Sequence, residues 1–375
     1  MRFASGVSIS QDTGDALDEA LRRSLTGISQ APDLLVCFAT FHHGRSAPTV
    51  AGRLASATSM TGVSIGAISS GVIAGSEEFE SGAALVVWAA WLDNASASAM
   101  RLVAFRTDEG IGIGGADPPE NTKGILLLAD PYSFPAGQFA TSLGSVPVVG
   151  GVPGSLTEES MLFIDGQIFT NGAVAVALSG PVSFRVVVSP GGTPVGEPAI
   201  VTKAAGRVIE EIAGLPAVRF IEELIVRLDE ASQKNAYNGV QIGVALDEYA
   251  ENRGSGDYRI ISVTAADRAS GSILVGDEIF VGSTVQFHVR DPQAASGALN
   301  DAVAGLVGGG GMLMFSCSGR GRSFFDQPHH DASLVASACQ PAALVGMISS
   351  AEIGPVAGTS YLHSYSAVVA EIGEP

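Results

Sequence analysis

One octapeptide pattern occurs twice in this chain, at Gly66-Ala-Ile-Ser-Ser-Gly-Val-Ile73 and Gly346-Met-Ile-Ser-Ser-Ala-Glu-Ile353. Gly, Ile, Ser, Ser and Ile coincide without a gap. An apolar run that reads as a strand precedes each copy, at 33–39 and 311–316, and another follows, at 83–88 and 366–370. A segment of helical length separates the first strand from the octapeptide; in the first copy it includes 48–57. A weaker third copy lies between them, with strands at 124–130, 146–151 and 173–178 and a helix at 135–143. Internal repetition dictates architecture more strongly than any single motif. The unit reads strand–helix–strand–strand, and mixed sheets covered on one face by helices are the packing solution for it. The expected fold class is therefore α+β or mixed α/β, with two similar halves.

The remaining chain is rich in strand-like runs, at 184–188, 199–203 and 207–212, and then at 240–245, 258–263 and 284–289. Gly214-Leu-Pro-Ala217 interrupts this pattern, and Pro216 suits a first helical position. Ala217, Phe220, Ile221, Leu224, Ile225 and Leu228 then recur at spacings of three and four, one face of an amphipathic helix. This helix and the polar stretch at 229–238 place a boundary between residues 1–215 and 216–375. Asp291-Pro292 ends the last of these strands, and 301–306 reads as part of a helix.

Of the 375 residues, 46% are hydrophobic and 15% charged, which suits a chain with a sizeable core. The net charge of −18 argues against nucleic acid and anionic membranes as partners, since both are held by Lys and Arg. No apolar run reaches the roughly 18 residues of a spanning helix, and the first ten residues lack a signal-peptide stretch. A cytoplasmic location is the expectation. Cys37, Cys317 and Cys339 form no C-x-x-C, which argues against a disulfide framework or a cysteine zinc site.

The run Phe315-Ser-Cys-Ser-Gly-Arg-Gly321 ends an apolar strand with a thiol and a cationic turn. Arg320 and Arg322 flank Gly321, where guanidinium forks and backbone N–H groups would suit a carboxylate or phosphate. An internal pair with Asp331 accounts for the arginine equally well. Cys317, beside that turn, is either a site-lining thiol or a buried small hydrophobe. Glu352, at the end of the Ile-Ser-Ser strand, either holds a ligand ammonium, with Arg320 taking the carboxylate, or closes an internal salt bridge. The adjacent pairs His42-His43 and His329-His330 cannot each chelate one ion, because neighbouring side chains diverge. No metal and no cofactor is expected. The chain also lacks a phosphate-binding G-x-x-x-x-G-K-[ST] loop, and Gly110–Gly115 is not followed by a helix, as a dinucleotide fingerprint requires.

Phe315–Gly321, Asp331, Pro341-x-x-Leu-Val-Gly346, Glu352-Ile-Gly-Pro355 and Leu362-His-Ser-Tyr365 together resemble the C-terminal half of the FIST family. Asp33 to Ala39, His42-His43 and Gly214–Ala217 resemble its N-terminal half. The resemblance implies a FIST N-terminal domain over 1–215 and a FIST C-terminal domain over 216–375. It also implies a bacterial sensory protein of signal transduction, with a small-molecule ligand such as an amino acid or related carboxylate, and a downstream signalling protein as partner. The ligand-binding residues it implies are Cys317, Gly319, Arg320, Gly321, Arg322, Glu352, Gly354 and His363. The family pattern has Gly where this chain has Ala351, so a positive-φ turn there would be strained. A thiol-dependent enzyme using Cys317 with His363 or Glu352, and a protein-interaction scaffold, are the competing expectations; an enzyme is the less favoured reading.

Overall fold

The computed structural model describes residues 1–108, 110–115, 117–154, 160–237, 239–250 and 257–375. Asn238, which ends the polar stretch at the sequence boundary, lies outside them. The chain forms two compact units. The first comprises Met1–Ser189, Leu299–Leu362 and Ser366–Pro375; the second comprises Pro190–Ala298 and His363–Tyr365. The folded units thus divide the chain at other places than the 215/216 boundary read from the sequence.

The first unit contains the repeat three times. Copy one is strand Leu34–Thr40, helix Ala47–Ala57, strand Val63–Ser69 and strand Leu85–Trp91. Copy two is Thr122–Ala129, Ala136–Ser142, Val148–Pro153 and Ala173–Ser179; copy three is Gly311–Cys317, His330–Cys339, Ala343–Val356 and Ala367–Gly373. In each copy the first strand lies between the other two, parallel to the second and antiparallel to the third. A fourth strand adds antiparallel to the third: Arg2–Ser8, Ser96–Thr107 and Ser183–Ser189 respectively.

The register is the same in all three. Cys37 faces Gly66, Leu127 faces Gly150 and Met314 faces Gly346. A Cβ on any of these glycines would stand 1.8 to 1.9 Å from the carbonyl oxygen of the facing residue. The glycine of the octapeptide is therefore a close-approach residue between strands.

After its second strand each copy sends a segment to another copy. Val72 pairs with Met347, Leu162 with Ala67, and Glu352 with Gly151. The partner in each case is the residue following the shared glycine, so the three copies are linked in a ring with one register. Val36, Phe38, Leu126, Leu128, Leu313 and Phe315 fill the common core inside this ring. The helices cover the outer faces over separate apolar clusters. This arrangement is α+β, as expected.

The second unit is a seven-stranded sheet in the order Gly192–Ala205, Thr284–Arg290, Val240–Ala245, Tyr258–Asp267, Ser272–Val275, Val208–Ile212, Leu215–Pro216. Pairing of Val208–Ile212 with Gly192–Ala205 closes it into a barrel. Phe220, Ile221 and Leu224 of helix Ala217–Arg227 pack on its apolar cluster, along the face read from the sequence.

Two local expectations differ from the structure, and one helix has no counterpart in the sequence reading. The helix placed at 301–306 is Pro292–Val303, started by the proline that ends the preceding strand. Helix Thr13–Leu25, with Asp12 as its cap, was not anticipated. Ala351 lies within the continuous strand Ala343–Val356 and is not in the positive-φ region, so no strained turn exists there.

Candidate functional site

The three copies place chemically different residues at matching strand ends. Thr40, Asp130 and Cys317 each follow the first strand's glycine-facing residue by three positions. Their N–H groups donate to the carbonyls of Ala84, Gly172 and Ser366. Alternation along strand Gly311–Cys317 directs Ser316 to the helix side, where its hydroxyl donates to Asp331 at 3.0 Å. Cys317 takes the opposite side, with Leu313 and Phe315.

Arg320 is 1% exposed and is clamped by Asp331. Its Nε donates to Oδ2 at 2.7 Å and its Nη2 to Oδ1 at 3.0 Å, a bidentate pair. His330 Nδ1 lies 2.9 Å from Asp331 Oδ1, and the His330 ring stacks on Phe325 with centroids 3.6 Å apart. Burial alone would raise the Asp331 pKa. The Arg320 guanidinium outweighs it, helped by His330, and holds the carboxyl down to about 2. The internal-pair reading of Arg320 accounts for this geometry.

Glu352 is 0% exposed. Its Oε2 accepts from the Ser366 hydroxyl at 2.8 Å and the Ser366 N–H at 3.2 Å. Oε1 has no partner in full hydrogen-bond geometry among the described residues. Burial pushes this carboxyl up to about 8, against the Ser366 hydrogen bonds, the positive charge of Arg320 and a weak hydrogen bond from the Cys317 thiol, all of which lower it. Ser349, the register partner of Cys317, is also buried, and its hydroxyl finds no partner among the described residues. Its oxygen lies over Gly151, where a Cβ would stand only 2.6 Å away. Glu78, carried in from copy one, accepts from the Ala332 N–H at 2.8 Å; burial raises its carboxyl to about 7.

Cys317, Arg320 and Glu352 are thus brought together around Asp331, Ser349 and Ser366. Gly319 is half-buried in the turn after Cys317. Gly321 is the N-cap of helix Arg322–Phe325; a Cβ there would meet the Glu80 carboxylate at 2.4 Å, and Glu80 accepts from the Arg322 N–H. Arg322 itself is exposed. Gly354 packs against Val188 and Val368, which a Cβ would strike at 2.6 and 2.8 Å. His363 ends strand Thr359–His363 and groups with the second unit. Sequence reasoning missed Ser349, Ser366 and Glu78. The first serine of Ile-Ser-Ser was visible as part of the repeat, but its unused hydroxyl was not. No group of three or more His, Cys, Asp and Glu among the described residues is set to hold a metal ion.

The FIST N domain model matches residues 33–215 and the FIST C domain model residues 217–355. The chain belongs to the FIST family. FIST domains are associated with sensing in signal transduction. An uncharacterized Mycobacterium tuberculosis protein is 36% identical over 385 residues, covering 99% of each chain. An uncharacterized Mycobacterium bovis protein is 35% identical over 388 residues, covering 99% of this chain and 98% of its own. No helix among the described residues of this FIST protein is long and apolar enough to cross a membrane.

Proposed function

We propose that this FIST protein is a small-ligand sensor whose ligand is read where strands Gly311–Cys317 and Ala343–Val356 end. The observation that carries this reading is Glu352. It is a fully buried carboxyl whose Oε1 has no partner in full hydrogen-bond geometry among the described residues, at a position that the other copies fill with Val72 and Leu162. Neither packing nor register calls for a carboxylate there. An ammonium group is the complement of an ionised Glu352, which makes an amino acid or related amine the ligand class. Arg320, already clamped by Asp331, contributes fixed positive charge beside the ligand carboxylate rather than an open fork. Cys317 and Ser349 line the same strand ends. The reading includes a cytoplasmic location and a downstream signalling protein that responds to the ligand-bound state, because a ligand acts only through its different affinity for two states. Recovery of the native protein in a membrane fraction would count against that location.

Thermal-shift titration of the full chain with glycine, alanine, glutamate, methylamine and acetate tests the site. Ligands that bind the native state raise its midpoint. An amine or amino acid should raise it in the parent protein and leave folded Glu352→Gln unmoved. No shift with any amine, or an equal shift in Glu352→Gln, would overturn the reading.

A further inference from the structure

In the second unit, alternation puts Ile242, Val244, Val285, Phe287 and Val289 in its apolar cluster. The opposite face of the same strands carries Gln241 and His288, register partners across the pair of strands. Both are 0% exposed. Among the described residues, neither ring nitrogen of His288 and neither amide atom of Gln241 has a partner in full hydrogen-bond geometry, and the imidazole's one weaker contact of this kind is to the Gly192 backbone. Four such atoms on two adjacent buried side chains are far from the norm, since nearly all buried polar groups in native proteins are satisfied. Glycine backbone lies beneath each group. A Cβ on Gly243 would stand 2.6 Å from His288 Nε2, and one on Gly192 would stand 2.6 Å from Gln241 Oε1. Tyr258 sets its ring edge-on to the imidazole at 5.6 Å. Burial keeps His288 neutral, with its pKa lowered to about 4 against the opposing hydrogen bond to the Gly192 backbone.

We propose that Gln241 and His288 form a second small-molecule site, which takes an uncharged planar amide: a carboxamide, a lactam or the edge of a nucleobase. A neutral imidazole offers one donor and one acceptor, and a glutamine amide offers both kinds again. The complement carries a donor and an acceptor side by side and no net charge. A charged ligand would be desolvated opposite a neutral pair. Arg290, two residues along the strand from His288, is engaged over the Tyr365 ring at 4.5 Å. This site is independent of Glu352 and of the ligand class assigned there.

The test uses the full chain with 15N-labelled histidine, incubated to equilibrium with acetamide, nicotinamide or uracil, and with acetate and methylammonium as charged controls. The His288 ring resonances are assigned by their loss in His288→Phe. The expected result is a saturable shift of both ring nitrogens with at least one amide, none with the charged controls, and loss of the shift in Gln241→Leu. No saturable shift in the parent protein would overturn the proposal, as would the same shift with acetate or methylammonium. An undiminished amide response in Gln241→Leu would overturn it too. The measurement on the parent protein decides the matter even if a variant fails to fold.

Discussion

Copies one and three of the repeat share an octapeptide, a sheet order and a register, yet they finish their strands differently. In copy one, Thr40 exchanges hydrogen bonds with the Ala84 backbone and Ser69 donates to the Ile348 carbonyl. Val72 completes the apolar core. In copy two, Asp130 is saturated by the Tyr132 and Ser133 N–H groups and by the Ser133 and Ser160 hydroxyls. In copy three the matching positions are Cys317, Ser349 and Glu352, and among the described residues two polar atoms, Ser349 Oγ and Glu352 Oε1, have no partner in full hydrogen-bond geometry. The same backbone therefore needs none of the copy-three polar groups. What all copies need is the glycine; what the third has at these matching strand-end positions, among the described residues, is unspent hydrogen-bonding capacity in a buried place, where it costs stability.

The largest effect follows from what the copies share. Ala at Gly66, Gly150 or Gly346 drives a Cβ into a backbone carbonyl that has no flexible end to give way. Each substitution should cost about 4 kcal/mol or more, at the severe end for single changes. Chemical denaturation of the three variants side by side measures this. Tolerance at one position but not the others would break the equivalence of the copies.

Next comes the buried ion pair that belongs to copy three alone. Asp331→Ala leaves the Arg320 guanidinium buried without its counter-charge, and removing one partner of such a pair costs about 3–5 kcal/mol. A loss below about 1 kcal/mol in denaturation would mean that Arg320 reaches another acceptor or water, and that the clamp does not define this strand end.

The shared scaffold was legible in the sequence because five identities at fixed spacing survive in two copies and the apolar runs survive in all three. The ring linkage was not. After Ser70 the chain begins a new strand, Gly71–Ala74, on another copy, whereas after Ser350 one strand runs on through Glu352. The residues look alike at both places, and only the neighbouring sheet decides. The second unit was hidden for a related reason. Its strands alternate like those around them, so the insertion of 190–298 after strand Ser183–Ser189 leaves no mark of its own. Helix Ala217–Arg227, with its three-and-four spacing, stood out, and the boundary it marks lies where the two matched family domains meet, at 33–215 and 217–355. At the site, residue types were legible and satisfaction was not: the sequence offers Arg320, Asp331 and Glu352 as possible partners in any combination, and geometry gives the arginine to Asp331.

A smaller effect sharpens the contrast between Glu352 and its apolar counterparts. Its folded pKa of about 8 lies above the ordinary 4.5. Between these values the unfolded chain has released the proton and the folded chain still holds it, so stability falls as pH rises through this window and levels off above it. Glu78, raised to about 7, adds a slope of the same sign. Glu352→Leu, which installs the residue of copy two, should remove most of the slope and raise stability by about 1–3 kcal/mol at pH 8, the cost of one unsatisfied buried group. Denaturation midpoints at pH 5 and pH 8 supply the comparison. A slope unchanged in Glu352→Leu would assign it to Glu78, and Glu78→Gln would then abolish it.

The smallest effect concerns Cys317. Thr40 occupies its place in copy one and binds the Ala84 backbone with its hydroxyl, while in copy three the corresponding backbone is that of Ser366. Threonine is close to cysteine in size and brings a hydroxyl for which an acceptor of the same kind stands ready. Cys317→Thr should change stability by less than about 1.5 kcal/mol, the range for swaps that preserve volume, because the added hydroxyl has a backbone acceptor. If the copies are equivalent at this depth, the thiol is dispensable to the fold and its presence belongs to the ligand. Thermal-shift titration with the amine that binds the parent protein then separates the two roles: an unchanged midpoint without ligand together with a weakened response to it places Cys317 at the ligand. A destabilisation of several kcal/mol would instead make the sulfur a packing element and end the parallel with Thr40.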